Sequence, residues 1–220
     1  MNLEPQTQEA IRLKPNLSIG YRFIKRTFDI IASFLGLIIL SPVFLITAIA
    51  IKIEDPKGTI FFNQPRFGIE CNPFTMYKFR SMYSDAEEQL TKLTPEQQAE
   101  WNSSFKLDND PRITKVGSFI RKTSIDELPQ LLNIFLGQMS AVGPRPPALF
   151  EKDAYGEALE TIMSVRPGLT GYWQAHGRSD VSFSDRIAMN LFYIENMSVP
   201  LDIKIMLKTI ASITKGEGAK

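Results

Sequence analysis

The sequence predicts an α+β fold, in which a small body of mixed helices and strands follows one long apolar helix. Residues 30–51, IIASFLGLIILSPVFLITAIAI, carry no charge. Beyond residue 52, short segments rich in β-branched and aromatic residues alternate with segments of helical periodicity. A chain of 220 residues, 44% of them hydrophobic, is long enough for one or at most two domains with an apolar core.

Composition excludes several classes of protein. The 25 Lys and Arg residues balance 24 Asp and Glu residues, so the net charge of +1 gives no reason to expect a nucleic-acid partner. One cysteine and one histidine are too few for an intrachain disulfide or an ordinary zinc site. Cys71 is expected to be a reduced thiol in a cytosol-facing body. Residues 1–20, polar with two prolines, are expected to form a flexible arm.

The apolar segment has the length of a membrane helix, since 22 residues reach about 33 Å. It is longer than a signal-peptide core and starts late, which disfavours cleavage near residues 48–50. Pro42 lacks a backbone donor and predicts a kink in mid-segment. Ser41 is placed to bond a carbonyl freed by that kink. From the residues alone, a kinked span and a re-entrant hairpin remain equally open.

Two short strands are predicted after the apolar segment, at 59–62 (TIFF) and 74–82 (FTMYKFRSM). Lys78 and Arg80 alternate on the second strand and should project from one face. They are candidates for binding a diphosphate, and an exposed strand face is the alternative. Residues 85–104 are then expected to form a polar helical insertion, in which TPEQ (94–97) is typical of a capping box.

The segment RKTSIDELPQ (121–130) places two acids side by side before an apolar helical pattern. The pattern predicts a helix from near Asp126 to Gly137, with Asp126 as its N-cap. The simplest interpretation is that Asp126 caps this helix and Glu127 complements its dipole.

A functional interpretation uses the same geometry, because a helix N-terminus binds phosphate. An ionised carboxylate at Asp126 can attack phosphorus, and the neighbouring Glu127 can hold Mg²⁺ together with it. Arg121 and Arg145, the latter in VGPRPP (142–147), would provide bidentate phosphate contacts.

Two features remain near the C-terminus. PGLTGYWQAHGRSD (167–180) contains three glycines with Tyr172, Trp173 and Arg178, and predicts a loop that stacks a base and holds a hydroxyl. His176 has no partner at motif spacing and is interpreted as structural. Residues 201–215 predict an amphipathic helix that either covers the core or lies on a bilayer. Its apolar stripe is Ile203, Met206, Leu207, Ile210 and Ile213.

Several ordered motifs together resemble the bacterial sugar transferases, the monotopic polyprenyl-phosphate phosphoglycosyl transferases. They are RFIKRTFDIIASFLGLIILSP, MYKFRSM, NDPRITKVGSFIRKTSIDELPQLLNIFLGQMSAVGPRP and RPGLTGYWQAHGRSD. The resemblance extends over residues 21–214. It implies transfer of a sugar 1-phosphate from a UDP-sugar to polyprenyl (undecaprenyl) phosphate, with release of UMP, as the first membrane step of exopolysaccharide, capsule, O-antigen or glycoprotein glycan synthesis.

The resemblance also implies roles for individual residues. Asp126 matches the nucleophile that carries the phosphosugar covalently, and Glu127 matches the partner acid that binds Mg²⁺. Arg121 and Arg145 match phosphate-binding arginines, and Lys78 matches an active-site lysine.

Ser41-Pro42 matches the family's helix break, which implies that residues 21–54 form a re-entrant hairpin in one leaflet. Residues 55–220 would then be the catalytic domain on the cytoplasmic face of the bacterial inner membrane. This implies a compact member whose partners are a UDP-sugar, polyprenyl phosphate and the bilayer, and it leaves homodimerisation open. GYWQ and GRSD resemble members acting on glucose or galactose. A non-catalytic membrane-anchored interaction protein and a nucleotide-sugar phosphohydrolase are the alternatives.

Overall fold

The computed structural model describes residues 15, 17–104, 107, 110–176 and 181–214. In chain order the elements are α1 (Ile19–Ile39), α2 (Ser41–Glu54), β1 (Phe61–Phe67), β2 (Pro73–Phe79), α3 (Ala86–Leu90), α4 (Pro95–Ser104), α5 (Lys115–Lys122), α6 (Gln130–Phe135), β3 (Ser140–Val142), α7 (Lys152–Tyr155), α8 (Ala158–Ile162), β4 (Gly168–Thr170), α9 (Tyr172–His176), α10 (Phe183–Glu195) and α11 (Val199–Thr214). Short 3₁₀ turns occupy Ile69–Cys71, Ile125–Glu127 and Leu149–Glu151. Mixed helices and small sheets agree with the predicted α+β class.

The apolar segment forms two helices, α1 and α2, that meet at Leu40 with a bend of 58°. Pro42 has no N–H to donate to the carbonyl of Ile38, four residues earlier. The Ser41 hydroxyl donates to that carbonyl instead, at 2.7 Å. The predicted break at Ser41-Pro42 is therefore confirmed.

Helix α1 begins inside the predicted arm, because the Ser18 hydroxyl accepts a hydrogen bond from the Tyr21 N–H at 3.1 Å. The rest of the arm, residues 1–14 and 16, lies outside the described residues. Within the described part of the chain, no single helix is both long and apolar enough to cross a membrane. Only the bent pair α1 and α2, taken together, has that length and composition.

Strands β1 and β2 form an antiparallel hairpin in which Phe61 pairs with Phe79 and Phe67 with Pro73. Strand β1 runs further than the predicted TIFF segment and includes Pro65. A two-stranded ribbon tolerates this proline, because its outer edge needs no ladder donor. In the insertion, the predicted capping box is confirmed: the Gln97 side chain accepts from the Thr94 N–H, and the Thr94 hydroxyl accepts from the Gln97 N–H.

The main core lies beneath the parallel pair β3 and β4. Helix α11 contributes Ile205, which is fully buried. Of the predicted apolar stripe, Met206 packs against the core. Ile203, Leu207 and Ile210 do not cover it, since they are 46%, 62% and 59% exposed. The side chain of Ile213 lies outside the described residues.

A buried polar cluster joins the first and last helices. The Asp202 carboxylate on α11 accepts hydrogen bonds from Tyr21 Oη at 2.9 Å and Lys25 Nζ at 2.7 Å, both on α1. It also accepts from Tyr193 Oη at 2.7 Å. One helical turn after Lys25, the Asp29 carboxylate of α1 accepts a hydrogen bond from the Ala141 N–H of β3 at 2.8 Å. These bonds fix α1 against the body.

Candidate active site

The acid pair lies on the 3₁₀ turn Ile125–Glu127, and helix α6 begins only at Gln130. The prediction that Asp126 is the helix N-cap is therefore wrong. Ser124 adopts a left-handed conformation with φ of 58°, and the turn that follows uses i→i−3 hydrogen bonds. The predicted helix end is confirmed: α6 ends at Phe135, and Gly137 has the positive φ of 83° common after a helix C-terminus.

The side chain of Asn133 on α6 holds this turn against strand β2. Its Oδ1 accepts from the Tyr77 N–H at 3.0 Å, and its Nδ2 donates to the Thr75 carbonyl at 2.7 Å. Asn133 is fully buried, so these bonds have no competition from water. The turn with the acids thus comes to lie beside Lys78.

Glu127 pairs with Lys78, whose Nζ lies 2.8 Å from its Oε1. Burial by itself would raise the pKa of Glu127. The charge and hydrogen bond of Lys78, with the charge of Arg145, outweigh burial and leave this pKa below its usual value. Glu127 is consequently ionised at neutral pH.

Asp126 has the opposite shift: burial, aided by the negative charge of Glu127, raises its pKa to about 6, against the charges of Lys78 and Arg121. Among the described residues, none donates a side-chain hydrogen bond to its carboxylate. At pH 7 about nine-tenths of it is still ionised. Asp126 is therefore a partly buried carboxylate that receives a hydrogen bond from its own backbone N–H and, within the described residues, none from a side chain.

The predicted arginines flank the acids on two sides. Arg121, near the end of α5, donates from Nε to Ser81 Oγ at 2.7 Å, and its charge lowers the pKa of Asp126. Arg145 is exposed in the segment after β3, and its charge acts on Glu127. The fold therefore brings together five residues proposed from sequence, namely Lys78, Arg121, Asp126, Glu127 and Arg145.

Arg80 has a different environment. Its side chain, 8% exposed, forms an ion pair with the Asp55 carboxylate and donates to the Asp55 carbonyl at 2.9 Å. A Cβ at Gly58 would lie 1.7 Å from Arg80 Nη1, so this approach requires glycine. Arg80 connects the end of α2 to the end of β2, and its predicted contact with a diphosphate stays a prediction.

The C-terminal motif forms β4 and α9 where a loop was predicted. Trp173 is 6% exposed, and the guanidinium carbons of Arg145 and Arg186 lie 5.9 and 4.8 Å from its ring centroid. Its ring therefore packs against arginines. His176 stacks on Tyr172 at 4.1 Å, as a structural residue would. Arg178 lies outside the described residues.

Sequence reasoning missed Arg66 and Arg186, which lie beside Arg145. Arg66 is a buried residue of β1, and its Nη1 donates to the Pro146 carbonyl at 3.3 Å. No motif marks either arginine, because their proximity depends on contacts between distant segments. The one local indication in the sequence is that Arg66 directly follows Pro65.

Magnesium is the cation that the acid pair implies. Asp126 and Glu127 offer neighbouring hard oxygen ligands. The pKa of Asp126 is raised by burial and by the negative charge of Glu127, and a bound cation would offset both effects. No cluster of three or more His, Cys, Asp or Glu suited to a metal occurs within the described residues. The pair fits an ion that takes its other ligands from water and substrate phosphates.

Comparison with known proteins gives one family: the family described as bacterial sugar transferase matches residues 20–216. Exopolysaccharide production protein ExoY of Sinorhizobium fredii is 42% identical, over 98% of this chain and 93% of its own. Undecaprenyl-phosphate galactose phosphotransferase of Salmonella typhimurium is 42% identical, over 95% of this chain and 44% of its own. UDP-glucose:undecaprenyl-phosphate glucose-1-phosphate transferase of Escherichia coli is 38% identical, over 86% and 40%. The chain thus spans less than half of the last two relatives.

Proposed function

We propose, since this chain belongs to the bacterial sugar transferase family, that it transfers a sugar 1-phosphate from a UDP-sugar to undecaprenyl phosphate. The name of the Escherichia coli relative states such a transfer for glucose, and the name of the Salmonella relative gives undecaprenyl phosphate and galactose. The observation that carries the proposal is Asp126, a partly buried carboxylate without a side-chain hydrogen-bond donor among the described residues, beside the cations Lys78 and Arg121. Their positive charges favour binding of the UDP-sugar, whose diphosphate is anionic.

In the first step, an Asp126 oxygen attacks the β-phosphorus of the UDP-sugar. A phosphorus–oxygen bond to Asp126 forms as the bond to the bridging oxygen breaks, and UMP leaves with that electron pair. Arg121 and Lys78, the cations whose charges act on Asp126, would neutralise the phosphoryl oxygens.

In the second step, a phosphate oxygen of the lipid acceptor attacks the same phosphorus. The bond to Asp126 breaks, the carboxylate is restored, and a polyprenyl diphosphate sugar is formed. No net proton change is required at Asp126, so a single carboxylate serves both steps in ping-pong order.

Glu127 and Asp126 would hold Mg²⁺, which when bound supplies positive charge to the substrate phosphates. Lys78 orients Glu127 through their 2.8 Å ion pair and keeps it ionised. Glu127→Gln should raise the Mg²⁺ concentration needed for half-maximal activity. An unchanged magnesium titration would reject the ligand role of Glu127.

The bent pair α1 and α2 is proposed as a re-entrant hairpin in the bacterial inner membrane, with the body on the cytoplasmic face. Large apolar side chains on both helices are exposed in this structure, among them Ile39 at 70% and Ile46 at 67%. The exposed apolar stripe of α11 would lie at the same interface. A soluble nucleotide sugar and a lipid phosphate could then meet at one surface.

The test is UMP release by purified protein supplied with Mg²⁺, undecaprenyl phosphate and a panel of UDP-sugars, of which UDP-galactose and UDP-glucose are expected to react. Asp126→Asn should reduce turnover by at least 1,000-fold, about 4 kcal/mol in barrier. Acid quenching should trap a phosphosugar ester on Asp126 in the parent protein. Lipid-independent release of sugar phosphate would favour a hydrolase, and no reaction with any donor would favour a binding protein.

A further inference from the structure

A group of arginines lies near Glu127. Arg145 and Arg186 both lie over Trp173, 5.9 and 4.8 Å from its ring centroid. Because Trp173 is 6% exposed and packed in place, it fixes where these guanidinium groups can lie. Arg145 is exposed and Arg186 is half-buried, so both are accessible to a ligand.

Arg66 forms the buried side of the same group. Its side chain is 8% exposed, its Nη1 lies 3.5 Å from Glu151, and its Nη2 donates to Gln64 at 2.8 Å. Its Nε is buried without a hydrogen-bond partner. An unpaired guanidinium N–H costs free energy unless something binds there.

The charges of this group are not balanced within the described residues. Burial, and after it the positive charge of Arg145, lowers the pKa of Arg66, so these two like charges lie near each other. Glu151 is the one carboxylate paired directly with an arginine of the group. Glu151 and the ionised Glu127 both act on this group, so three arginines against two glutamates leave one positive charge for an anion.

Tyr155 adds a hydroxyl to this surface. Burial and the charge of Glu151 raise its pKa to about 12, while Arg66, Arg145 and Arg186 act in the opposite direction. The charges of all three guanidinium groups therefore act on this buried side chain. Its protonated hydroxyl is a hydrogen-bond donor at any physiological pH.

We propose that Arg66, Arg145 and Arg186, arranged around Trp173 and Tyr155, form a subsite for a phosphate monoester next to the acid pair. Guanidinium groups bind such a dianion with paired N–H donors. Arg145 borders both the subsite and Glu127, so a bound monoester lies beside the phosphorus that Asp126 attacks. Arg186 is a binding residue here, and Trp173 is a positioning residue.

This inference rests on the proposed function, in which two phosphate monoesters meet the enzyme. One is UMP, which must leave, and the other is the lipid phosphate, which must enter. Sequential occupation of one subsite by both would explain how a single aspartate passes the sugar phosphate from donor to acceptor.

The direct test is to measure ligand binding through the fluorescence of Trp173. A Trp101→Phe background leaves Trp173 as the only tryptophan, since the chain has two. UMP should give a saturable change, and uridine, which lacks the phosphate, should give none at the same concentrations. The same measurement is made with a short-chain polyprenyl phosphate in detergent, and the corresponding alcohol, which lacks the phosphate, is its control.

Arg186→Gln should weaken UMP binding at least tenfold, and Arg186→Lys should weaken it less, because lysine keeps the charge without the planar fork. Arg22→Gln, which removes an exposed arginine of α1, is the matched control and should bind as the parent does. Calorimetry on Trp173→Leu and Trp173→Phe tests positioning: the leucine variant should behave like Arg186→Gln, and phenylalanine should restore most of the affinity.

The outcomes separate this subsite from the proposed reaction. Equal binding of UMP and uridine, or unchanged affinity of Arg186→Gln for both monoesters, would overturn the subsite even if the enzyme turns over. UMP binding that depends on Arg186, in a protein that releases no UMP from any donor, would support the subsite and reject the reaction. Loss of binding to only one monoester identifies which of the two occupies it.

Discussion

At the residue scale, Asp126 combines two opposing properties. Burial raises its pKa to about 6, so ionising it in the folded protein costs stability. The unfolded value is near 4, so this cost sets in between about pH 4 and pH 6 and persists above that range. The nucleophile is active only in the ionised form that the fold disfavours.

Asp126→Asn should therefore stabilise the protein while abolishing transfer. We expect the free energy of unfolding at pH 7.5 to rise by about 1 to 3 kcal/mol, and the gain to vanish below about pH 4. Chemical denaturation of parent and variant in one detergent, at both pH values, measures this difference. Asp153→Asn, at an exposed position, should change stability little. A destabilised Asp126→Asn protein would contradict the assignment of a partly buried carboxylate with a raised pKa.

Lys78 should set the acid limit of activity. Its positive charge lowers the pKa of both Asp126 and Glu127, so Lys78→Met should raise both. In the parent we expect kcat/KM to fall as the pH drops below about 6. In the variant this fall should occur at a pH higher by roughly half to one unit. Initial rates between pH 5 and pH 8 measure the shift. Lys92→Met, in an exposed pair with Glu88, is the control and should leave the profile in place.

At the scale of elements, the junction of α1 and α2 depends on one carbonyl, that of Ile38. Proline at 42 denies it a backbone donor, and the Ser41 hydroxyl replaces that donor at 2.7 Å. The bend of 58° lies where this change of donor occurs.

The double variant Ser41→Ala/Pro42→Ala restores the backbone donor and removes the side-chain donor, so it should straighten the junction. We expect cysteines at positions 22 and 57, in a Cys71→Ser background, to react with an impermeant label from one face in the parent. In the double variant they should react from opposite faces. Pro95→Ala, in the polar insertion, should keep the parental pattern. Opposite faces in the parent itself would exclude the hairpin.

At the scale of the whole molecule, the cluster around Asp202 connects the two ends of the fold. Asp202→Ala should destabilise the protein by about 3 kcal/mol, because it leaves Lys25 buried without its partner. Lys25→Met/Asp202→Leu should cost less than the single change, since no charge is then left unpaired. Thermal unfolding of the three proteins measures both effects. Lys92→Ala breaks an exposed ion pair and should lower the free energy of unfolding by less than about 1 kcal/mol. If Lys92→Ala destabilised the protein as much as Asp202→Ala does, the buried cluster would have no special role.

Features encoded within a few neighbouring residues could be predicted from the sequence. The break at Ser41-Pro42, the capping box at Thr94 and the helix end at Gly137 each depend on one turn of backbone, so local chemistry is sufficient. The start of α6 was misplaced, because Ser124 adopts a left-handed conformation that directs the chain into a 3₁₀ turn. Serine seldom does so, and nothing adjacent in the sequence indicates it.

By itself, then, the sequence determined that two acids are neighbours and that an apolar segment breaks at its centre, because covalent order and local hydrogen bonding enforce both. Only the tertiary structure decided which cations meet the acids. Lys78 on β2 pairs with Glu127, whereas Arg80, which follows the last residue of β2, pairs with Asp55. Trp173 is likewise buried between segments that are distant in sequence, and the Arg186 guanidinium lies over its ring. The reason is that packing between remote segments sets burial and charge proximity, and these shift pKa values and create anion sites.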